Sequence, residues 1–113
     1  VAKGRISLER MVEVLSTNTA KLFGLESKGA VAAGKDADLV VFDPKARFTL
    51  TQPKLHQNVD YTPWEGWEVT GRPELVYVRG RRVAQWDGKA GEMKFVGKLG
   101  AGRFVKRVPV AGI

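Results

Sequence analysis

The hydrophobic period of this chain changes once, at Gly24, and that change constrains its fold more than any other feature. Before it, Leu8, Met11, Val12 and Leu15 recur at i, i+3, i+4 and i+7 with Glu9, Arg10 and Glu13 opposite, the pattern of an amphipathic helix. Ser7 is placed to cap it. Ser16-Thr-Asn-Thr19 carries short polar side chains that compete for backbone hydrogen bonds, which predicts a break and a second short helix capped by Thr17 or Asn18. That helix ends at Gly24, a residue suited to the left-handed position after a last turn carrying Lys21.

Beyond Gly24 the pattern is strand-like. Ala30-Val31 reads as a short strand and Gly34-Lys35-Asp36 as a turn. The unbroken run Leu39-Val-Val-Phe42 predicts a strand buried on both faces, and Asp43-Pro44 stops it because proline lacks a ladder donor. Ala46, Phe48 and Leu50 alternate with Arg47, Thr49 and Thr51, as in a half-buried strand. Residues 52–73, with Pro53, Pro63 and Pro73, predict a long ordered loop pinned by Trp64 and Trp67. Leu75-Val-Tyr-Val78 and Arg82-Val-Ala-Gln-Trp86 flank Gly80 as a β-hairpin, with Asp87-Gly88 as the next turn.

A chain of 113 residues has room for one small domain, here a helical segment at 1–24, strands and a long loop at 25–96 and an extended tail at 97–113. No apolar run approaches the ~20 residues of a transmembrane helix, no signal pattern opens the chain, and the expected compartment is the cytoplasm. The absence of cysteine excludes disulfide staples and thiolate metal sites. Residues 1–74 balance ten Lys/Arg against ten Asp/Glu, whereas residues 75–113 hold nine against two, so the whole excess of +7 lies in the last third. A basic tail suits nucleic acid, an anionic surface or an acidic patch on a neighbouring subunit. The tail also carries Gly97, Gly100 and Gly102 and too little apolar content to form a core, so it needs something to lie on.

Residues able to carry chemistry are sparse. A catalytic metal needs three or more convergent His, Asp, Glu or Cys ligands, and His56 stands alone between Leu55 and Gln57. Asp36, Asp38 and Asp43 read as turn, strand-entry and strand-exit residues in preference to paired acids. Ser16 and Thr17 have no His/Asp partner nearby for nucleophilic work. Gly100-Ala-Gly-Arg-Phe104 lacks the preceding strand and following helix that give a phosphate loop its meaning. Arg79, Arg81 and Arg82 with Tyr77 and Trp86 offer a basic, aromatic face for single-stranded nucleic acid, but no nucleic-acid fold accompanies them, and a solvated hairpin end or subunit contact is the preferred reading. No catalytic, cofactor-binding or metal residue is therefore assigned.

Four stretches carry a family resemblance. Gly34-Lys-Asp-Ala-Asp-Leu-Val-Val-Phe-Asp-Pro44 resembles a segment shared across the amidohydrolase superfamily, and Val59-Asp-Tyr-Thr-Pro-Trp-Glu-Gly-Trp-Glu-Val69 resembles hydantoinases and dihydropyrimidinases over dihydroorotases and allantoinases. Ser16-Thr-Asn-Thr-Ala-Lys-Leu-Phe-Gly24 looks like the helix-break-helix that follows the catalytic barrel, with Thr19 where relatives often have proline, and Gly102-Arg-Phe-Val-Lys-Arg107 is similar to the family's basic tail.

The resemblance implies an α+β chain, mainly β with N-terminal helices: the last barrel helix, the C-terminal half of a composite β-sandwich and an extended basic tail. It implies a parent enzyme with a TIM-like barrel and a binuclear zinc or similar divalent-metal centre that opens a hydantoin or dihydropyrimidine ring. The ligands of that centre lie on barrel strands, and none maps onto this chain. The expected role is the structural and oligomerisation part of such a hydrolase. Its expected partners are the missing N-terminal and barrel part or a second copy, with no nucleic acid and no membrane. A stand-alone assembly module that has lost the barrel is the alternative, and a basic nucleic-acid-binding domain ranks third.

Overall fold

The computed structural model describes residues 1–109. The chain divides into two compact units, residues 1–38 with the described residues from 99 onward, and Leu39–Lys98.

In the first unit, Ser7 caps α1 (Leu8–Val12), its hydroxyl accepting the Arg10 N–H at 3.1 Å. The predicted break is absent. A π-helical turn (Glu13–Thr17) carries the chain directly into α2 (Asn18–Leu22). The Asn18 N–H reaches back to the Glu13 carbonyl, and the Thr19 hydroxyl donates to the Val14 carbonyl at 3.0 Å. The polar run does compete for backbone acceptors, but it widens one turn without ending the helix.

Termination comes where the sequence places it. Gly24 sits at φ 63°, with its N–H on the Lys21 carbonyl at 3.1 Å and the Leu25 N–H on the Ala20 carbonyl at 2.8 Å, a complete Schellman closure. Ala30-Val31 forms no strand. Residues 25–38 are turns, closed by Lys28 N–H to the Leu25 carbonyl at 3.0 Å and Asp36 N–H to the Ser27 carbonyl at 2.8 Å.

The second unit is a four-stranded antiparallel sheet in the order β1 (Leu39–Thr49), β2 (Glu68–Val78), β3 (Arg81–Asp87), β4 (Glu92–Phe95). The 2-residue turn between β2 and β3 has positive φ at both Arg79 (49°) and Gly80 (74°), the conformation that matches the twist of a hairpin. Asp43-Pro44 does not stop β1. The strand passes through it with a register shift before Arg47, and the Asp43 carboxylate accepts the Lys45 and Ala46 N–H groups at 2.8 and 3.2 Å. Proline is tolerated because β1 is an edge strand, with one side free of ladder bonds. β2 likewise passes through Pro73 at an irregular step, so the predicted 52–73 loop contracts to residues 50–67. Trp64 and Trp67 are exposed. The loop is held by its backbone instead, with Leu50 N–H on the Trp67 carbonyl and Gly66 N–H on the Leu50 carbonyl, both at 2.9 Å.

Register partners share a sheet face, so Val40, Val76, Ala84 and Phe95 form an apolar row across all four strands. Its two ends are exposed, Val40 at 59% and Phe95 at 54%, while Val76 and Ala84 between them are half-buried. The expectation that the run at 39–42 is buried on both faces is therefore corrected. The run has the composition of a core strand, but it lies on the edge of a single layer. In the apolar helix stripe Leu8 and Met11 are half-buried, while Val12 and Leu15 are exposed, Leu15 at 70%. Among the described residues only Ala20, Gly24 and Thr62 are buried, and no helix is long and apolar enough to cross a membrane.

Candidate functional site

Turn chemistry brings the acidic candidates of the first unit onto a cation. Lys28 Nζ lies 2.8 Å from the Asp36 carboxylate and is also paired with Asp38, while the Ser27 hydroxyl donates to Asp36 at 3.0 Å. These hydrogen bonds, Asp36 first and Asp38 second, hold the Lys28 ammonium above its usual pKa. Both carboxylates are thus committed to closing the 27–38 turn. Thr17 is structural as well, its hydroxyl donating to the Gly29 carbonyl at 2.7 Å. Gly29, at φ 84°, lets that turn approach the helix, since a Cβ there would overlap the side chain of Ala20.

In the second unit, His56 Nε2 meets the Met93 carbonyl, which ties the loop to β4. Asp43 is spent on its own turn. Among the described residues no three His, Cys, Asp or Glu side chains come together in a way that could hold a metal ion. The described residues therefore do not by themselves fit a binuclear divalent centre.

Of the nucleic-acid candidates, Tyr77 and Arg82 are register partners across β2 and β3, while Trp86 is engaged by other side chains. The Arg72 guanidinium lies 4.2 Å over the Trp86 ring, and Phe48 is tilted against the same ring with centroids 5.8 Å apart. Arg72 is further held by Glu74 at 2.6 Å, and its Nε is buried without a hydrogen-bond partner among the described residues. With Arg72 on its face, Trp86 is not an open stacking platform. Arg81 and Arg82 are exposed at the start of β3, and Arg79 belongs to the tight turn. Gly100, at φ 74°, has neither helix nor strand after it among the described residues.

Three features escaped the sequence reading. The strand β4 is short and mixed in composition. Its one cue is Asp87, whose carboxylate accepts the Lys89 and Ala90 N–H groups at 2.9 and 3.2 Å ahead of Gly91 at φ 69°. The Arg72–Trp86 stack joins residues of different strands and has no local signal. The third is a clasp on the tail. Val108 N–H donates to the Gly24 carbonyl at 2.9 Å, and a Cβ on Gly24 would overlap the Val108 carbonyl.

The described residues also present exposed apolar surface and two concavities. Val12 and Leu15 of the helix stripe and Val40 and Phe95 of the sheet row are exposed, and the loop carries a small groove of about 350 Å³ lined by Gln52, Pro53, Asp60, Tyr61, Thr62 and Glu65. A cavity of about 580 Å³ lies between the end of α2, the following turns and the clasped tail, with Lys21, Lys28 and Lys35 on its walls. Lys28 is neutralised by its acids, and the Lys35 ammonium donates to the Glu26 carbonyl.

The chain belongs to the amidohydrolase family, whose model matches residues 1–83. Within that family it is similar to hydantoinases and dihydropyrimidinases. It is 47% identical over 108 residues to the D-hydantoinase of Geobacillus stearothermophilus, covering 95% of this chain and 22% of that protein. It is 44% identical over 110 residues to a D-phenylhydantoinase of Escherichia coli O1:K1, covering 96% of this chain and 23% of that one. Among solved structures, the dihydropyrimidinase of Brevibacillus agri NCHU1002 superposes with TM-score 0.84 at 46% identity, over 95% of this chain and 22% of the other. The D-hydantoinase of Bacillus sp. AR9 superposes with TM-score 0.84 at 45% identity and the same coverage. The chain thus spans about a fifth of the length of the relatives it matches.

Proposed function

We propose that this chain is the structural and assembly part of a hydantoinase- or dihydropyrimidinase-like cyclic-amide hydrolase, and that it catalyses nothing by itself. The observation that carries this reading is the apolar row Val40, Val76, Ala84 and Phe95, exposed at Val40 and Phe95 and half-buried between them, in a chain whose described residues bury only Ala20, Gly24 and Thr62. A sheet that is apolar where it should meet solvent is a packing surface for something else. The match to a fifth of hydantoinase-type relatives supplies the candidate, namely the remainder of such an enzyme, together with neighbouring subunits reached by the basic tail. The divalent-metal centre and the groups that open the ring belong to that remainder, and the complex belongs in the cytoplasm.

Complementation tests this. The chain is co-produced with the remaining part of a hydantoinase-type enzyme, and ring opening of hydantoin and dihydrouracil is assayed with zinc or manganese. Activity should require both pieces. If the chain neither binds the remainder nor restores turnover, yet unfolds cooperatively as a monomer, the reading fails in favour of a stand-alone assembly module.

A further inference from the structure

We propose that the groove lined by Gln52, Pro53, Asp60, Tyr61, Thr62 and Glu65 is a docking site for a proline-rich, arginine-bearing segment of a partner protein. The site stands apart from the parent-enzyme reading, because every wall of the groove comes from one loop of this chain.

That loop reverses the charge of the molecule. In a chain of net charge +7, residues 50–68 hold Asp60, Glu65 and Glu68 against Lys54. Lys54 is not on the groove wall. Its ammonium lies beside Gly91, where a Cβ would meet Nζ at 3.5 Å. Asp60 and Glu65 are on the wall, both exposed, and neither is ion-paired among the described residues. Negative charge left open in this way is complementary to a basic ligand and steers its approach.

The apolar walls narrow the ligand further. Tyr61, 66% exposed, follows Asp60 in the chain and lines the same groove, so one planar guanidinium can stack on the ring while it donates to the carboxylate. A lysine ammonium lacks the plane for the first contact. Pro53 adds an apolar wall, and surfaces of aromatic and apolar side chains receive the polyproline II helix, which is extended before it binds and loses little entropy on docking. At about 350 Å³ the groove is at the small end of the ~300–1,000 Å³ range of ligand pockets, which suits one or two side chains of an extended segment and not a folded surface.

Its shape is set before a ligand arrives. The Gln52 N–H donates to the Glu65 carboxylate at 2.8 Å and its side-chain amide to the Val59 carbonyl. Thr62 is buried, the Glu65 N–H donates to the Thr62 carbonyl at 3.3 Å, and the Gly66 N–H donates to the Leu50 carbonyl at 2.9 Å. Binding there asks little reorganisation of the loop.

The test is titration of the full chain with a capped peptide of one arginine followed by a short oligoproline run, read from amide chemical shifts. Saturable shifts should fall on the Gln52, Asp60, Tyr61, Thr62 and Glu65 amides. Affinity should drop about tenfold when the peptide's arginine is replaced by glutamate or its prolines by serine, and about tenfold in Asp60→Asn and in Tyr61→Ala, with the melting temperature of the chain kept. No saturable shift, equal affinity for the serine or glutamate peptide, or full affinity in both variants would overturn the proposal. The same amides moving with chain concentration alone would put a second copy in the groove, and loss of peptide binding in the complemented enzyme would make the groove an internal packing surface. Either result overturns it as well. If complementation fails while the peptide binds, the parent-enzyme reading falls and this site stands.

Discussion

Gly24 carries two demands at once. It closes α2 in the left-handed region, where a side chain costs about 1 kcal/mol, and its bare Cα is where the tail backbone packs. Gly24→Ala should therefore detach the tail more than it harms the helix. Hydrogen exchange should show the Val108 amide losing its protection while the Ala20 and Lys21 amides keep most of theirs. Equal loss at all three would mean that the clasp is a consequence of the helix end and not a separate contact. His56 is a milder case, since one exposed hydrogen bond to the Met93 carbonyl contributes about 0.5–1.5 kcal/mol. Gly24 was legible as a helix stop because Schellman chemistry is local. Its contact with Val108 was not, because the two lie 84 positions apart in the chain.

At the scale of elements, the turn from β3 to β4 gives a pH signature. Hydrogen bonds from the Ala90 and Lys89 backbone N–H groups hold the Asp87 carboxyl below its ordinary value. A carboxylate depressed in the folded state stabilises above its unfolded pKa of about 3.9 and loses that contribution as pH falls through the folded value. The Lys89 and Ala90 amide resonances should thus titrate together with a midpoint below about 3.9, and Asp87→Asn should abolish the transition. β1 gives the second element-scale prediction. Truncation of a buried large side chain costs about 2–5 kcal/mol, but Val40 is mostly exposed here. Val40→Ala should change the melting temperature of the free chain little, and should weaken its complex with the remainder of the enzyme by an amount in that range. A large effect on the free chain would show that the row is already covered. Strands β1 to β3 were legible from apolar runs, alternation and the turn at Gly80, whereas β4 was not. Their merging through Pro44 and Pro73 was not, because whether a missing N–H matters depends on edge position and register.

For the whole molecule, the expectation is no metal-dependent ring opening by the chain alone, since no ligand set among its described residues can hold a metal to activate water. Turnover by a clean preparation, lost in His56→Ala, would reverse that. Deleting residues 97–113 should shift the species seen by light scattering toward smaller ones. The nucleic-acid reading makes the opposite forecast, binding that falls steeply with salt and disappears with the tail while the oligomer survives.

Local order was determined by the sequence: the helix start at Ser7, its end at Gly24, the hairpin turn, the sparse chemistry and the family, all set by short-range periodicity, φ preference or residue type. The tertiary structure alone decided that the polar run widens the helix, that Arg72 occupies Trp86, that the tail returns to Gly24 and that the most core-like run lies uncovered on an edge. Those outcomes depend on which distant residues become neighbours. An apolar pattern records that a surface must be buried, and only the assembled neighbours determine what buries it.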